Sequence, residues 1–164
     1  MSVTSYFHRL DDDGVRHFRD DRETFDVKEY PDGETLQIYA EECLLLTDLV
    51  GRVKAPAPLR KLMADVIAGH AGASVYDDDD SPYLIDPETV ARASRAMNEV
   101  HPDELRRAWD LDRLKAKYLE VEEWLWRDWG PNVLEDRMIP WFVRIRDFLS
   151  RAAERNQHVI RGWF

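Results

Sequence analysis

Four adjacent carboxylates, Asp77 to Asp80, are the most conspicuous residues that could do chemistry in this sequence. Side by side they repel one another and would welcome a hard cation such as calcium. An EF-hand calcium loop, however, spaces its ligands at alternate positions and adds a glycine and a distal glutamate. None of that spacing is present, so the run reads as a solvated loop. The five histidines, His8, His17, His70, His101 and His158, never fall in the HxxxH, HxH or HExxH spacing that sets two ligands on one face. No metal and no cofactor is expected. His8 and His158 lie in or beside the predicted first and last strands, and neighbouring strands would make them a metal or acid–base pair. A surface or hydrogen-bonded structural role is the plainer reading of each.

Nucleophiles and phosphate loops fare no better. There is no GxSxG elbow and no SxxK, and Ser94 and Ser150 fall within predicted helices. The seven glycines never cluster as GxGxxG or GxxxxGK[ST]. Glu120 and Glu123 lie at helical spacing and Glu41 and Glu42 are adjacent, but a carboxylate couple needs surroundings that push the two pKa values apart. With 33 acids in the chain, chance pairs are expected. Cys43, the only cysteine, sits in the apolar run Cys43-Leu44-Leu45-Leu46 and reads as a buried, inert thiol. No catalytic residue is assigned.

Charge and tryptophan point to contact rather than to catalysis. Residues 11–42 hold twelve Asp or Glu against four Arg or Lys, a net −8 of the chain's −10. A face this negative, led by Asp11, Asp12 and Asp13, could dock a basic protein and speed the encounter. The plainer reading is that charge collects in polar loops. Trp124 and Trp126 point about 200° apart on a helix, so one of them falls outside the buried stripe. Trp126, with Arg127 and Asp128 as polar rim, is the candidate anchor, and core packing is the alternative.

These residues are positioned by a mostly helical chain. Ser2 to His8 reads as a first strand, and Asp11 to Asp13 open a short helix to about Asp20 with Val15 and Phe18 inward. Phe25 to Tyr30 is a possible short strand and Pro31-Asp32-Gly33 a turn. From Thr35 the chain runs extended, turns helical by about Tyr39 and is capped by Gly51. Pro56 and Pro58 lead into LRKLMADVIAG, with Leu59, Leu62, Met63, Val66 and Ile67 inward. His70 to Ser81 reads as a loop and Tyr83 to Ile85 as a strand. Asp86-Pro87-Glu88 opens a helix to about Asn98, burying Val90, Ala93 and Met97. His101-Pro102-Asp103 starts another with Leu105 and Trp109 inside. Asp110 or Asp112 caps the next, whose stripe Leu114, Tyr118, Val121 and Leu125 runs on to Gly130-Pro131. Leu134, Met138, Trp141, Ile145, Phe148 and Ala152 share one face of a long last helix. Asn132 with Glu135 has the form of a capping box at its start. Pro140 predicts a kink, or two helices end to end. HVIRGWF closes the chain as a strand.

Composition sets the outer bounds. With 164 residues, 44% apolar content and six tryptophans, the chain has enough length and apolar content for one globular domain with a sizeable core. A pI near 4.9 disfavours nucleic acid and anionic membrane surfaces. MSVTSYFHRLDDD lacks the basic start and apolar run of a signal peptide, and no stretch reaches the roughly 18 apolar residues of a membrane span. A cytoplasmic location is expected.

Three passages carry a resemblance. VTSYFHRLDDDGVRHF supplies an opening strand and short helix. Tyr83-Leu84-Ile85-Asp86-Pro87-Glu88-Thr89-Val90 places a tyrosine–leucine before a proline-started helix. Residues 145–160 form a long helix ending in a small, alanine-rich stretch, a turn and a last apolar strand. Together they resemble the YfbM-like family of small bacterial proteins (DUF1877), a domain of unknown function. Where that family has a tryptophan–histidine pair before its leucine run, this chain has Glu41-Glu42-Cys43. The resemblance implies a compact α+β domain and assigns no reaction.

The expectation is therefore one α+β domain over residues 1–164, predominantly helical, with a small sheet formed by N-terminal, central and C-terminal strands. Its expected role is a non-enzymatic bacterial interaction module with an acidic face, one version being an immunity- or antitoxin-like protein covering a basic toxin surface. The alternative is a small hydrolase or ligand-binding enzyme with a site between sheet and helices, drawing on His8 and His158. Oligomeric state is not readable from the chain.

Overall fold

A computed structural model describes residues 4–21, 34–74, 82–118 and 123–163. The elements run β1 (Thr4–Leu10), α1 (Asp12–Asp20), β2 (Thr35–Tyr39), α2 (Ala40–Val50), α3 (Ala57–Ala68), β3 (Ala73–Ser74), β4 (Tyr83–Ile85) and α4 (Pro87–Asn98). After them come α5 (Pro102–Ala108), α6 (Leu111–Lys117), α7 (Glu123–Trp129), a π-helical turn (Leu134–Met138), α8 (Ile139–Glu154) and β5 (His158–Trp163). The architecture is α+β. Helices pack on one antiparallel sheet ordered β2-β1-β5-β4-β3 among the described residues, so the last strand lies at its centre beside the first.

Strand alternation sorts the sheet into two faces. Phe7 stands opposite Leu36 on one side and Arg161 on the other, and Ile85 opposite Val159. This face joins α2, α3, α4 and α8 in the main core, where Leu45, Leu46, Met63, Ile67, Met97, Phe142 and Phe148 are all buried. On the reverse face Leu10, Leu84 and Ile160 meet Val15 and Phe18 of α1 in a smaller cluster. One short amphipathic helix thus covers the back of the sheet, through two side chains worth about 1.5–3 kcal/mol each in removed apolar surface.

Local sequence writes several boundaries. Asp86 accepts a hydrogen bond from the Thr89 amide at 2.9 Å and Pro87 fills the first turn, so α4 begins where its cap dictates. Asp11 caps α1 through the Gly14 amide at 2.8 Å, and Asp110 caps α6 through Arg113 at 3.0 Å. Pro140 has no N–H to give to the preceding turn. The chain answers with the π turn, in which the Ile139 amide reaches Leu134 five residues back, and which passes directly into α8. The helical backbone runs on through Met138 (φ −67, ψ −47) and Ile139 (φ −63, ψ −48), so the proline is absorbed by a π turn within one continuous helical run and not by two separate helices.

Elsewhere tertiary contacts override local pattern. The first strand runs on past His8 to Leu10, because Arg9 lies 5.7 Å over the Phe148 ring and Leu10 joins the reverse-face cluster. β3 lies inside the stretch expected to be loop. It is held by Gly72 at φ +97, where a Cβ would come within 2.4 Å of the Leu84 carbonyl oxygen. The continuous helix expected from Asp110 to Gly130 is broken at Tyr118 (φ −111, ψ 57), where Arg113 and Lys117 reach across to Asp48 on α2. The expected capping box is absent. Glu135 accepts from Nε and Nη2 of Arg106 (2.7 and 3.0 Å), and Asn132 offers its backbone oxygen to Asp136. Gly51 does end α2, but with right-handed φ −64; the left-handed cap is Gly69. The possible strand Phe25–Tyr30 and the run Asp77–Asp80 lie outside the described residues.

Candidate functional site

The π turn and the start of α2 enclose a cleft of about 290 Å³. Tyr39, the last residue of β2 and half exposed, forms one wall; Pro140 and Trp141 of α8 form the other. At its side lies Glu42, in the first turn of α2 and only 1% exposed. One carboxylate oxygen accepts from Arg137 at 2.8 Å, and the other is buried without a hydrogen-bond partner. Arg137 in turn lies 5.4 Å over the Trp129 ring, and Arg144 lies 4.1 Å over Trp141. Asp136 completes the lining.

A buried carboxylate oxygen without a donor costs of the order of 1–3 kcal/mol or more, so Glu42 has acceptor capacity that the protein itself leaves unfilled. Trp141 already carries the Arg144 guanidinium, and Tyr39 is the aromatic wall left open to a cationic donor. The lining holds no Ser, Cys or His, which leaves the cleft without a ready nucleophile. Leu44, one turn along α2 and 46% exposed, joins Tyr39 as the other large exposed apolar residue among those described. Sequence reading passed over Glu42 as one of an adjacent acid pair. Its phase was informative: Glu42, Leu45, Leu46 and Leu49 follow at i, i+3, i+4 and i+7, so a carboxylate stands in a buried stripe.

The residues singled out from sequence are scattered. Asp11, Asp12 and Asp13 are exposed at the start of α1, with Asp11 spent on the cap and Asp13 3.1 Å from Arg16. Trp126 is half-buried against the main core and meets Trp129 edge to face at 5.9 Å. His8 and His158 share the reverse face of the sheet, diagonal across β1 and β5, since His8 pairs with Ile160 and Leu10 with His158. His8 is buried and joined to Thr35 Oγ1 through Nδ1 at 2.6 Å, and its Nε2 has no partner. Burial, reinforced by Arg9, lowers its pKa to about 4. Burial and then Arg19 also lower His158, against the pull of Asp12 and Asp86. Both rings are neutral near pH 7.

Cys43 is buried, its thiol pushed up by burial and in contact with Arg161 Nη2 at 3.3 Å. Ser94 and Ser150 hydrogen-bond each other at 3.1 Å between α4 and α8, a packing role. Among the described residues no three metal-ligating side chains gather, and no helix is long and apolar enough to cross a membrane.

Comparison with known proteins agrees with the fold. YfbM from Escherichia coli, a protein of unknown function, superposes with a TM-score of 0.69 over 98% of this chain and 99% of its own, at 14% identity. That likeness concerns the fold alone. No curated protein matches the chain. Residues 1–161 match the domain of unknown function DUF1877, and the chain belongs to that family.

Proposed function

We propose that the protein is a non-enzymatic interaction module that receives a basic side chain of a partner protein in the cleft at the π turn. The unpartnered oxygen of Glu42 carries this reading. A guanidinium or ammonium entering between Tyr39 and Trp141 would give that oxygen its missing donor, with exposed Tyr39 at the mouth of the contact. The exposed Asp11–Asp13 cluster acts at longer range, raising the encounter rate with a basic surface. An immunity- or antitoxin-like role is the concrete form of this proposal. Affinity capture of the tagged protein from its own host, followed by mass spectrometry, tests it. A stoichiometric basic partner that is lost in Glu42→Gln and Tyr39→Ala supports the reading. A partner retained by both variants contradicts it.

A second reading, a small ligand-binding enzyme using the reverse face, draws on His8 Nε2 and His158 Nδ1, two buried ring nitrogens without partners on one side of the sheet. Metabolite binding that disappears in His8→Gln while Glu42→Gln binds normally would favour it over the first.

A further inference from the structure

A second cleft, of about 470 Å³, lies where the segment joining α2 to α3 meets α5. Residues 51–61 carry Arg52, Lys54, Arg60 and Lys61 and no acid, in a chain whose net charge is −10. Arg52, Lys54, Arg60 and Arg107 line the cleft against one carboxylate, Glu104, so four positive charges meet one negative, a local +3. Glu104 is already engaged by Arg107 at 2.5 Å. Arg52 stands 4.0 and 3.9 Å from Asp48 and Asp110, the outer limit of an ion pair, and Asp48 has closer partners in Arg113 and Lys117. Among the described residues, Lys54 and Arg60 have no carboxylate partner at all.

Four cations around one hollow repel one another unless an anion joins them. α3 adds to the positive potential, because its first turn contains no acid and its cap makes no side-chain hydrogen bond. The remaining lining is Val53 and Ala108, with no aromatic ring on which a nucleobase could stack. The volume suits a small ligand, since small-molecule pockets run to roughly 300–1,000 Å³.

We infer that this cleft binds a small phosphate-bearing anion without an aromatic base, of the sugar-phosphate or condensed-phosphate kind. Arg52 and Arg60 grip phosphate oxygens through paired N–H groups, and Lys54 supplies a point charge. The site is separate from the cleft at the π turn and does not depend on the reading given to it. Calorimetric titration of the full chain with pyrophosphate, in the absence of divalent metal and at two ionic strengths, is the test. Saturable one-to-one binding that weakens with salt is expected. Lys54→Ala and Arg60→Ala should each reduce affinity about tenfold or more, the loss of a charge-assisted contact. Lys61→Ala, whose ammonium is paired with Asp65 outside the cleft, should leave it unchanged. Unfolding curves confirm that each variant is folded. Absence of saturable binding, or an equal loss in Lys61→Ala, overturns the inference. So does an oligonucleotide that binds through Lys54 and Arg60 where pyrophosphate does not.

Discussion

Two carboxylates on one helix, Asp48 and Glu42, are both buried, and they differ in what is left over. Asp48 is surrounded: Arg113 gives two bonds (2.8 and 3.3 Å), Lys117 one at 2.6 Å, and Arg52 stands at 4.0 Å. Glu42 has a single donor, and its other oxygen is buried without a hydrogen-bond partner. Asp48 ties α6 to α2 and is a structural knot. Glu42 lies beside a cleft with acceptor capacity to spare. Burial alone therefore does not mark a site; what distinguishes Glu42 is unfilled hydrogen-bonding capacity together with a place in the lining of a cleft.

Extending the comparison to the reverse face gives the largest expected effect. His8, like Glu42, is buried with one polar atom unfilled, and its folded pKa of about 4 lies below the unfolded 6.5. The unfolded chain binds the proton first, so this stability is whole above the unfolded pKa and is lost as pH falls through the folded one. Between these limits acidification should cost about 3 kcal/mol at most. Denaturant titrations across that range should show the loss, and His8→Gln should flatten it.

Asp48→Ala should come next. It strands the cations gathered there, but Arg113 and Lys117 are 42% and 48% exposed and water screens them, so a cost of about 2 kcal/mol is expected in urea unfolding. The pH dependence has the same direction. Burial raises the Asp48 pKa, but the Lys117 and Arg113 hydrogen bonds outweigh it and hold the folded value below the usual carboxylate range. Its contribution is present above the unfolded value, about 3.9, and is lost as pH falls through the folded one. Asp48→Asn should remove that part of the acid sensitivity.

Glu42→Gln should cost folding less, below about 1 kcal/mol, because only the Arg137 bond weakens. Partner binding should fall about tenfold or more, the loss of a charge-assisted contact. Equal destabilisation by Asp48→Asn and Glu42→Gln would erase the distinction drawn here. The smallest effect on binding belongs to Asp11, Asp12 and Asp13 replaced by Asn. Stability should move by about 1 kcal/mol, mainly through the altered cap, while the association rate falls several-fold and loses salt dependence in stopped-flow measurements.

The fold was legible wherever its determinants are local. Asp86-Pro87 wrote the start of α4, the alternation of Thr35–Tyr39 passing into Ala40 wrote the strand-to-helix change, and Pro140 announced the irregular π turn that leads into α8. It was illegible where a distant partner decides. β3 exists because Gly72 lets its backbone approach Leu84, and α6 ends where its cations turn to Asp48 on α2. The cleft was half visible. Glu42 stood in a buried helical phase, a readable anomaly, but nothing in the chain sets Tyr39 beside Trp141, 102 positions on.

The most direct measurement is an amide-resolved NMR titration of the wild-type protein and Glu42→Gln with arginine amide, a minimal guanidinium probe. Saturable shifts confined to residues 39–44 and 136–144, and lost in Glu42→Gln, are the predicted result. Shifts that survive the substitution, or that gather at Asp11–Asp13 instead, would contradict the assignment of Glu42 as the docking acceptor.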